Sequence, residues 1–160
     1  MKTRFGVATV MLMLASAMAS VPTDPFVGTW LLNPELSRYP KGSCPKRLVI
    51  EIESVGKGIH YRSETTDTNG NTAHSEYTAE YNGKQALVVG SRGMLLPVVL
   101  KRPNSHLVVA SYTRGLQVLA TSRRVISGNG KRMTITTVSK DRSGNSITTI
   151  GVYEKQRDQH

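Results

Sequence analysis

Lys46-Arg47-Leu48-Val49-Ile50-Glu51-Ile52-Glu53-Ser54, followed closely by Gly56-Lys57-Gly58 and Ile59-His60-Tyr61-Arg62-Ser63, carries the clearest structural signal in this sequence. Leu48, Ile50 and Ile52 share one face, while Arg47, Val49, Glu51 and Glu53 take the other. A period of two is that of an extended strand with one wet side. The glycine-flanked lysine then turns the chain back into a second run of the same kind.

The pattern extends in both directions. Ala73, Ser75, Tyr77, Ala79 and Tyr81 oppose His74, Glu76, Thr78 and Glu80. Turn signals recur at Asn69-Gly70, Asn82-Gly83, Arg102-Pro103-Asn104, Arg114-Gly115, Gly128-Asn129-Gly130 and Ser143-Gly144-Asn145. Their spacing predicts strands near 27–33, 46–54, 58–66, 72–81, 85–90, 96–102, 106–113, 116–126, 132–139 and 146–154. Parallel crossovers need about a dozen residues or more, which few of these connections supply. An all-β, antiparallel up-and-down barrel of about ten strands follows, since closure removes the two edges of so long a meander. Residues 34–45, with Pro34, Pro40, Gly42 and Pro45, form the one long connection, expected as a lid or short helical turn.

Residues 1–19 read as a signal peptide. Lys2 and Arg4 precede an apolar run, and Ala17-Met18-Ala19 has the small-x-small form of a cleavage site. Cleavage is expected after Ala19, leaving a chain exported to a periplasm or beyond the cell, with no transmembrane segment. The barrel is expected over 20–154 and a polar tail over 155–160. Cys44 is the only cysteine, so no internal disulfide is possible and the fold rests on packing. Without Lys2 and Arg4, 19 basic residues face 11 acidic ones. That excess favours anionic partners, such as an anionic lipid or polyanion surface, although the scattered cations do not suggest nucleic acid.

Asp24-Pro25-Phe26-Val27-Gly28-Thr29-Trp30, Ser122-Arg123-Arg124 and Val152-Tyr153-Glu154-Lys155-Gln156 together resemble a group of small exported bacterial lipocalin-like proteins of unassigned function. More widely, Gly28-x-Trp30 resembles the opening of the calycin superfamily, which includes the fatty-acid-binding proteins. The resemblance implies barrel closure by Gly28, Trp30 and Arg124, the guanidinium packing over the indole. In fatty-acid-binding proteins an Arg-x-Tyr on the last strand holds the ligand carboxylate. Here Tyr153 matches the tyrosine, but Gly151 stands at the arginine position.

No catalytic constellation emerges. The chain lacks a Gly-x-Ser-x-Gly elbow, and the pairs Glu51/Glu53 and Glu76/Glu80 fall on wet faces. His60 and His74 fall on the polar faces of adjacent strands across their hairpin, but two histidines alone make a poor metal site. No cofactor is expected. The alternation assigns Tyr61, Tyr77, Tyr81, Leu107, Val109, Leu116, Val118, Met133, Ile135 and Tyr153 to the barrel interior. There they would line a cavity for a small hydrophobic or amphipathic ligand, or fill a solid core. In the solid case Lys46, Arg47, Lys101, Arg102, Lys131, Arg132, Lys140 and Arg142 would gather at one rim and engage an anionic partner.

Overall fold

The computed structural model describes residues 24–91 and 93–157, and the expected leader lies outside them. Twelve strands form one antiparallel sheet: β1 (Gly28–Leu32), β2 (Arg47–Val55), β3 (Gly58–Thr66), β4 (Thr72–Glu80), β5 (Asn82–Ala86), β6 (Val89–Gly90), β7 (Gly93–Met94), β8 (Val98–Asn104), β9 (Leu107–Arg114), β10 (Gln117–Ile126), β11 (Arg132–Lys140) and β12 (Ser146–Lys155). The ladder runs β5-β8-β9-β10-β11-β12-β1-β2-β3-β4-β6-β7 and curls until β4 lies beside β5 and β8. Antiparallel succession sends connections alternately to two ends. One end, the mouth, holds 33–46, 66–72, 87–97, 114–117 and 140–146. The other, the base, holds 55–58, 80–82, 104–107 and 126–132.

Cross-strand packing of the inward faces builds the core. Trp30, Val98, Leu100, Ala110 and Met133 are fully buried, joined by Ile50, Ile52, Ile59, Val108 and Ile126. Residues 24–27 strap the base. The Arg102 guanidinium donates twice to the Asp24 carboxylate, at 2.6 and 2.8 Å, and lies over the rings of Phe26 and Tyr81. The Trp30 indole N–H donates to the Phe26 carbonyl at 2.9 Å.

The sheet departs from a simple meander at one place. Asn82-Gly83 does not join a paired hairpin: β5 leaves β4 and pairs with β8. The predicted strand over 85–90 is therefore split between β5 and β6, and β6 returns to β4 only at Ser75↔Gly90 and Glu76↔Val89. The ladder ends at β5 and β7, so side chains rather than backbone bonds bridge this seam.

Other differences follow from local geometry. Lys155 belongs to β12, not to a tail, and Gln156 donates its backbone N–H to Thr29. The 34–45 connection has no helical turn. Arg38 exchanges backbone bonds with Ile150, and Tyr39 and Cys44 pack on the core. The cation over the Trp30 ring is Lys155, with Nζ 5.1 Å from the centroid, and Arg124 stacks elsewhere. Gly28 makes this possible: at φ 132°, a Cβ there would sit 2.7 Å from Lys155 Cε. The eight rim cations do not gather. Lys46, Arg47, Lys140 and Arg142 stand at the mouth; Lys101, Arg102, Lys131 and Arg132 stand at the base.

Candidate ligand-binding site

Arg124 is the organising residue. It lies on β10 with its inward neighbours Ser122 and Ile126, and its side chain is buried, whereas Arg123 beside it is exposed. Its guanidinium carbon sits 4.6 Å from the Tyr61 ring centroid and 6.0 Å from that of Tyr77. Tyr61 and Tyr77 face each other in register across β3 and β4, with centroids 4.9 Å apart and planes 13° from parallel. Nη2 donates to the Tyr112 hydroxyl at 3.3 Å. Nε and Nη1 have no hydrogen-bond partner, nor does the buried Tyr77 hydroxyl. Among the described residues, no carboxylate pairs with Arg124.

This arrangement is unusual energetically. A guanidinium stays charged at any ordinary pH, and a buried charge is costly unless it is paired. Cation–π attraction offsets part of that cost. The tyrosines respond to the same burial. Desolvation pushes the Tyr61 hydroxyl up to about 12, and Arg124 pulls only partly against it. Burial raises Tyr77 further, Arg124 again pulling partly against it, and Tyr153 is raised by burial and by Tyr39 beside it. All three are therefore hydrogen-bond donors at neutral pH.

Above this floor lies a cavity of about 400 Å³, lined by Tyr61, Ser63, Ser75, Tyr77, Val88, Leu95, Leu96 and Tyr112. That volume falls toward the small end of ligand pockets, roughly 300–1,000 Å³. Its walls are largely apolar. A hydroxyl pair, Ser63 with Ser75 at 2.9 Å, shares the lining with Val88, Leu95 and Leu96. The last three come from the segment around β6 and β7, which closes the side of the barrel at the seam. A larger cleft of about 610 Å³ on the outside of the base is lined by Ser127, Asn129, Lys131, Arg132, Glu154 and their neighbours. No apolar residue lines it, and charged and amide side chains surround it, so it makes a poor container for a hydrophobic group.

Of the expected interior residues, Tyr61 and Tyr77 line the cavity, and Met133, Ile135 and Tyr153 are buried in the barrel. Tyr81 is half-buried beneath Arg102 at the base, away from the cavity. Leu107 and Val109 take the outer face, and Val108 and Ala110 point inward instead. Four apolar residues in succession hide the alternation there. Leu116 and Val118 are exposed, because Leu116 lies in the turn and a register shift between Val118 and Ala120 separates both from the Arg124 face. Sequence reasoning missed Tyr112, Ser63, Ser75, Val88, Leu95 and Leu96. Ser63 and Ser75 share faces with Tyr61 and Tyr77, so the alternation contained them. Nothing in the spacing marked the β6–β7 segment.

The remaining candidates stand apart. His60 bonds Thr78 at 3.0 Å and His74 bonds Ser91 at 2.9 Å, each on a different partner. No group of three metal-ligating side chains occurs among the described residues. Glu51 and Glu76 both pair with Arg62 on the wet face. Gly151 leaves room for the Tyr153 ring, which a Cβ there would meet at 2.7 Å. Thus the last-strand arginine of fatty-acid-binding proteins has no space here unless that ring moves.

No protein-family model matches the sequence, and no curated protein matches it. Among solved structures, zebrafish ileal bile acid-binding protein complexed with cholic acid superposes with a TM-score of 0.56. The two chains are 14% identical over 82% of this chain and 99% of that one. The chain therefore shares the antiparallel β-barrel fold of that bile acid-binding protein.

Proposed function

We propose that this chain is an exported carrier, not an enzyme, holding a small amphipathic molecule in its barrel. The apolar part lies against Val88, Leu95 and Leu96, and an anionic head group points toward Arg124 through the Tyr77 and Tyr112 hydroxyls. One observation carries this reading: a buried guanidinium with two unpartnered nitrogens, lying under a cavity, with no carboxylate of its own. Arg124 is buried beneath Tyr61, Tyr77 and Tyr112, which line the cavity, so a ligand there meets the uncompensated charge through these side chains. The open volume favours a carrier over a solid barrel. The zebrafish protein of the same fold is a bile acid-binding protein, which supports the same class of activity. Export rests on the leader, and mass spectrometry of the secreted product should find Ser20 at the N-terminus.

The test compares two fluorescent probes, anionic anilinonaphthalene sulfonate and neutral Nile red. The native protein should bind the anionic probe saturably. Arg124→Leu should weaken that binding about tenfold or more, the scale of a hydrogen bond to a charged group, and leave Nile red nearly unchanged. Absence of saturable binding, or equal loss for both probes, would overturn the proposal.

A further inference from the structure

Nine large apolar side chains are exposed among the described residues, and all but Val55 lie on the mouth connections or the strand ends that feed them. Scattered surface apolar residues need no explanation, but concentration at one end does. Leu116 is 104% exposed at the tip of the β9–β10 turn, and Met94 is 76% exposed on β7. Leu87 and Leu95 flank the same segment. The Gln85 side chain donates to Thr113 Oγ1 at 2.9 Å and to the Gly115 carbonyl at 3.2 Å, and the Thr113 N–H donates to the Pro97 carbonyl at 3.0 Å. These bonds hold the two ends of the 87–97 connection, at Gln85 on β5 and Pro97 before β8, against the β9–β10 turn, so the connection that carries Leu87 and Leu95 springs from beside the turn that carries Leu116; together they form the apolar lip.

The rest of the mouth is cationic. Lys41, Lys46, Arg114, Lys140 and Arg142 are exposed there, and none of them is ion-paired among the described residues. The mouth acids balance them only in part. Glu64 is taken by Arg47 at 3.0 Å, and Glu35, Asp67 and Asp141 stand as three negative charges against these five cations.

We propose that the mouth docks on an anionic lipid bilayer, with the lip inserted among the head groups and the cations around it on lipid phosphates. Apolar tips ringed by lysine and arginine suit an interface that is apolar below and negative above. A soluble polyanion would use the charges and leave the lip in water. The lip is also continuous with the cavity, because Leu95 is both exposed at the mouth and part of the lining. A ligand drawn from the membrane would therefore enter without crossing water; this last step rests on the proposed carrier function, whereas docking does not.

Co-sedimentation tests it with phosphatidylglycerol-containing vesicles and pure phosphatidylcholine vesicles. The protein should sediment with the first and remain soluble with the second. Each of Arg114→Gln, Lys140→Gln and Arg142→Gln should weaken binding about fivefold, the factor equivalent to roughly 1 kcal/mol per surface cation. Leu116→Ser with Met94→Ser should weaken it several-fold, whereas Val55→Ser at the base should not. Arg124→Leu should lose the anionic probe yet still dock, which separates failure of the carrier reading from failure of this one. Equal binding to both vesicles would overturn the proposal. So would heparin binding that is as tight and as indifferent to Leu116→Ser as vesicle binding, or a Leu116-dependent dimer that accounts for the apolar lip.

Discussion

Arg124 places a permanent charge inside the barrel with no carboxylate beside it among the described residues. Replacing buried ionic groups by apolar ones of similar size is often neutral or stabilising by about 1–4 kcal/mol. Arg124→Leu should therefore raise the urea midpoint of the ligand-free protein while abolishing tight binding of the anionic probe. A large loss of stability would mean that the stack on Tyr61 is structural in purpose. Tyr77→Phe sharpens the point. Its hydroxyl is buried without a partner, so removing it should cost nothing in stability or gain about 1 kcal/mol, and it should still weaken the anionic probe. Alternation aims Arg124 inward on a face read as Leu116, Val118, Ala120 and Ser122; Ser122 does share that face, whereas Leu116 and Val118 lie exposed beyond the register shift. Alternation could not choose the ring. Lys155, which sequence reading left in a tail, reaches across Gly28 to cover Trp30, and Arg124 meets Tyr61 instead.

At the scale of elements, the strands with explicit turns were legible and the seam was not. Asp67 and Asp141 show why. Each carboxylate accepts the N–H groups of the residues two and four positions on, closing Asp67-Thr68-Asn69-Gly70-Asn71 and Asp141-Arg142-Ser143-Gly144-Asn145 in the same way. Such chemistry is local, so the sequence displays it. The split of β5 from β6 depends on which distant strand each finds, which no local pattern records. β6 touches β4 at two residue pairs, helped by Ser91, whose hydroxyl bonds His74 Nδ1 at 2.9 Å and accepts the His74 N–H at 2.7 Å. So small a hold marks a segment that opens locally before the barrel does. Ser91→Ala removes the side-chain bonds, each worth roughly 1 kcal/mol. Amide exchange at Val89 and Gly90 should quicken about fivefold or more, and release of bound probe should quicken with it. Unchanged exchange at these amides would show that apolar packing of Val88 and Leu95, not the hydroxyl, holds the segment shut.

For the whole molecule, the concentration of tyrosine around the barrel axis sets a limit on alkaline stability. A free tyrosine titrates near 10, but burial pushes Tyr61 up to about 12 and raises Tyr77 and Tyr153 as well. The unfolded chain therefore releases protons that the folded one retains. Stability is fully present below about pH 10 and must fall as pH rises from there through the folded values, by up to about 1.4 kcal/mol per pH unit for each fully buried tyrosine. Urea midpoints should be level between about pH 8 and about pH 9.5 and decline steeply beyond, with tyrosinate absorbance appearing together with unfolding rather than before it. Tyr61→Phe should make the decline shallower by one tyrosine's worth. A bound anionic ligand should leave the onset in place, because the onset is set by the unfolded chain, while lifting stability uniformly by mass action. If tyrosinate formed in the intact fold near pH 10, the rings would be open to water and the closed floor beneath the cavity would not exist.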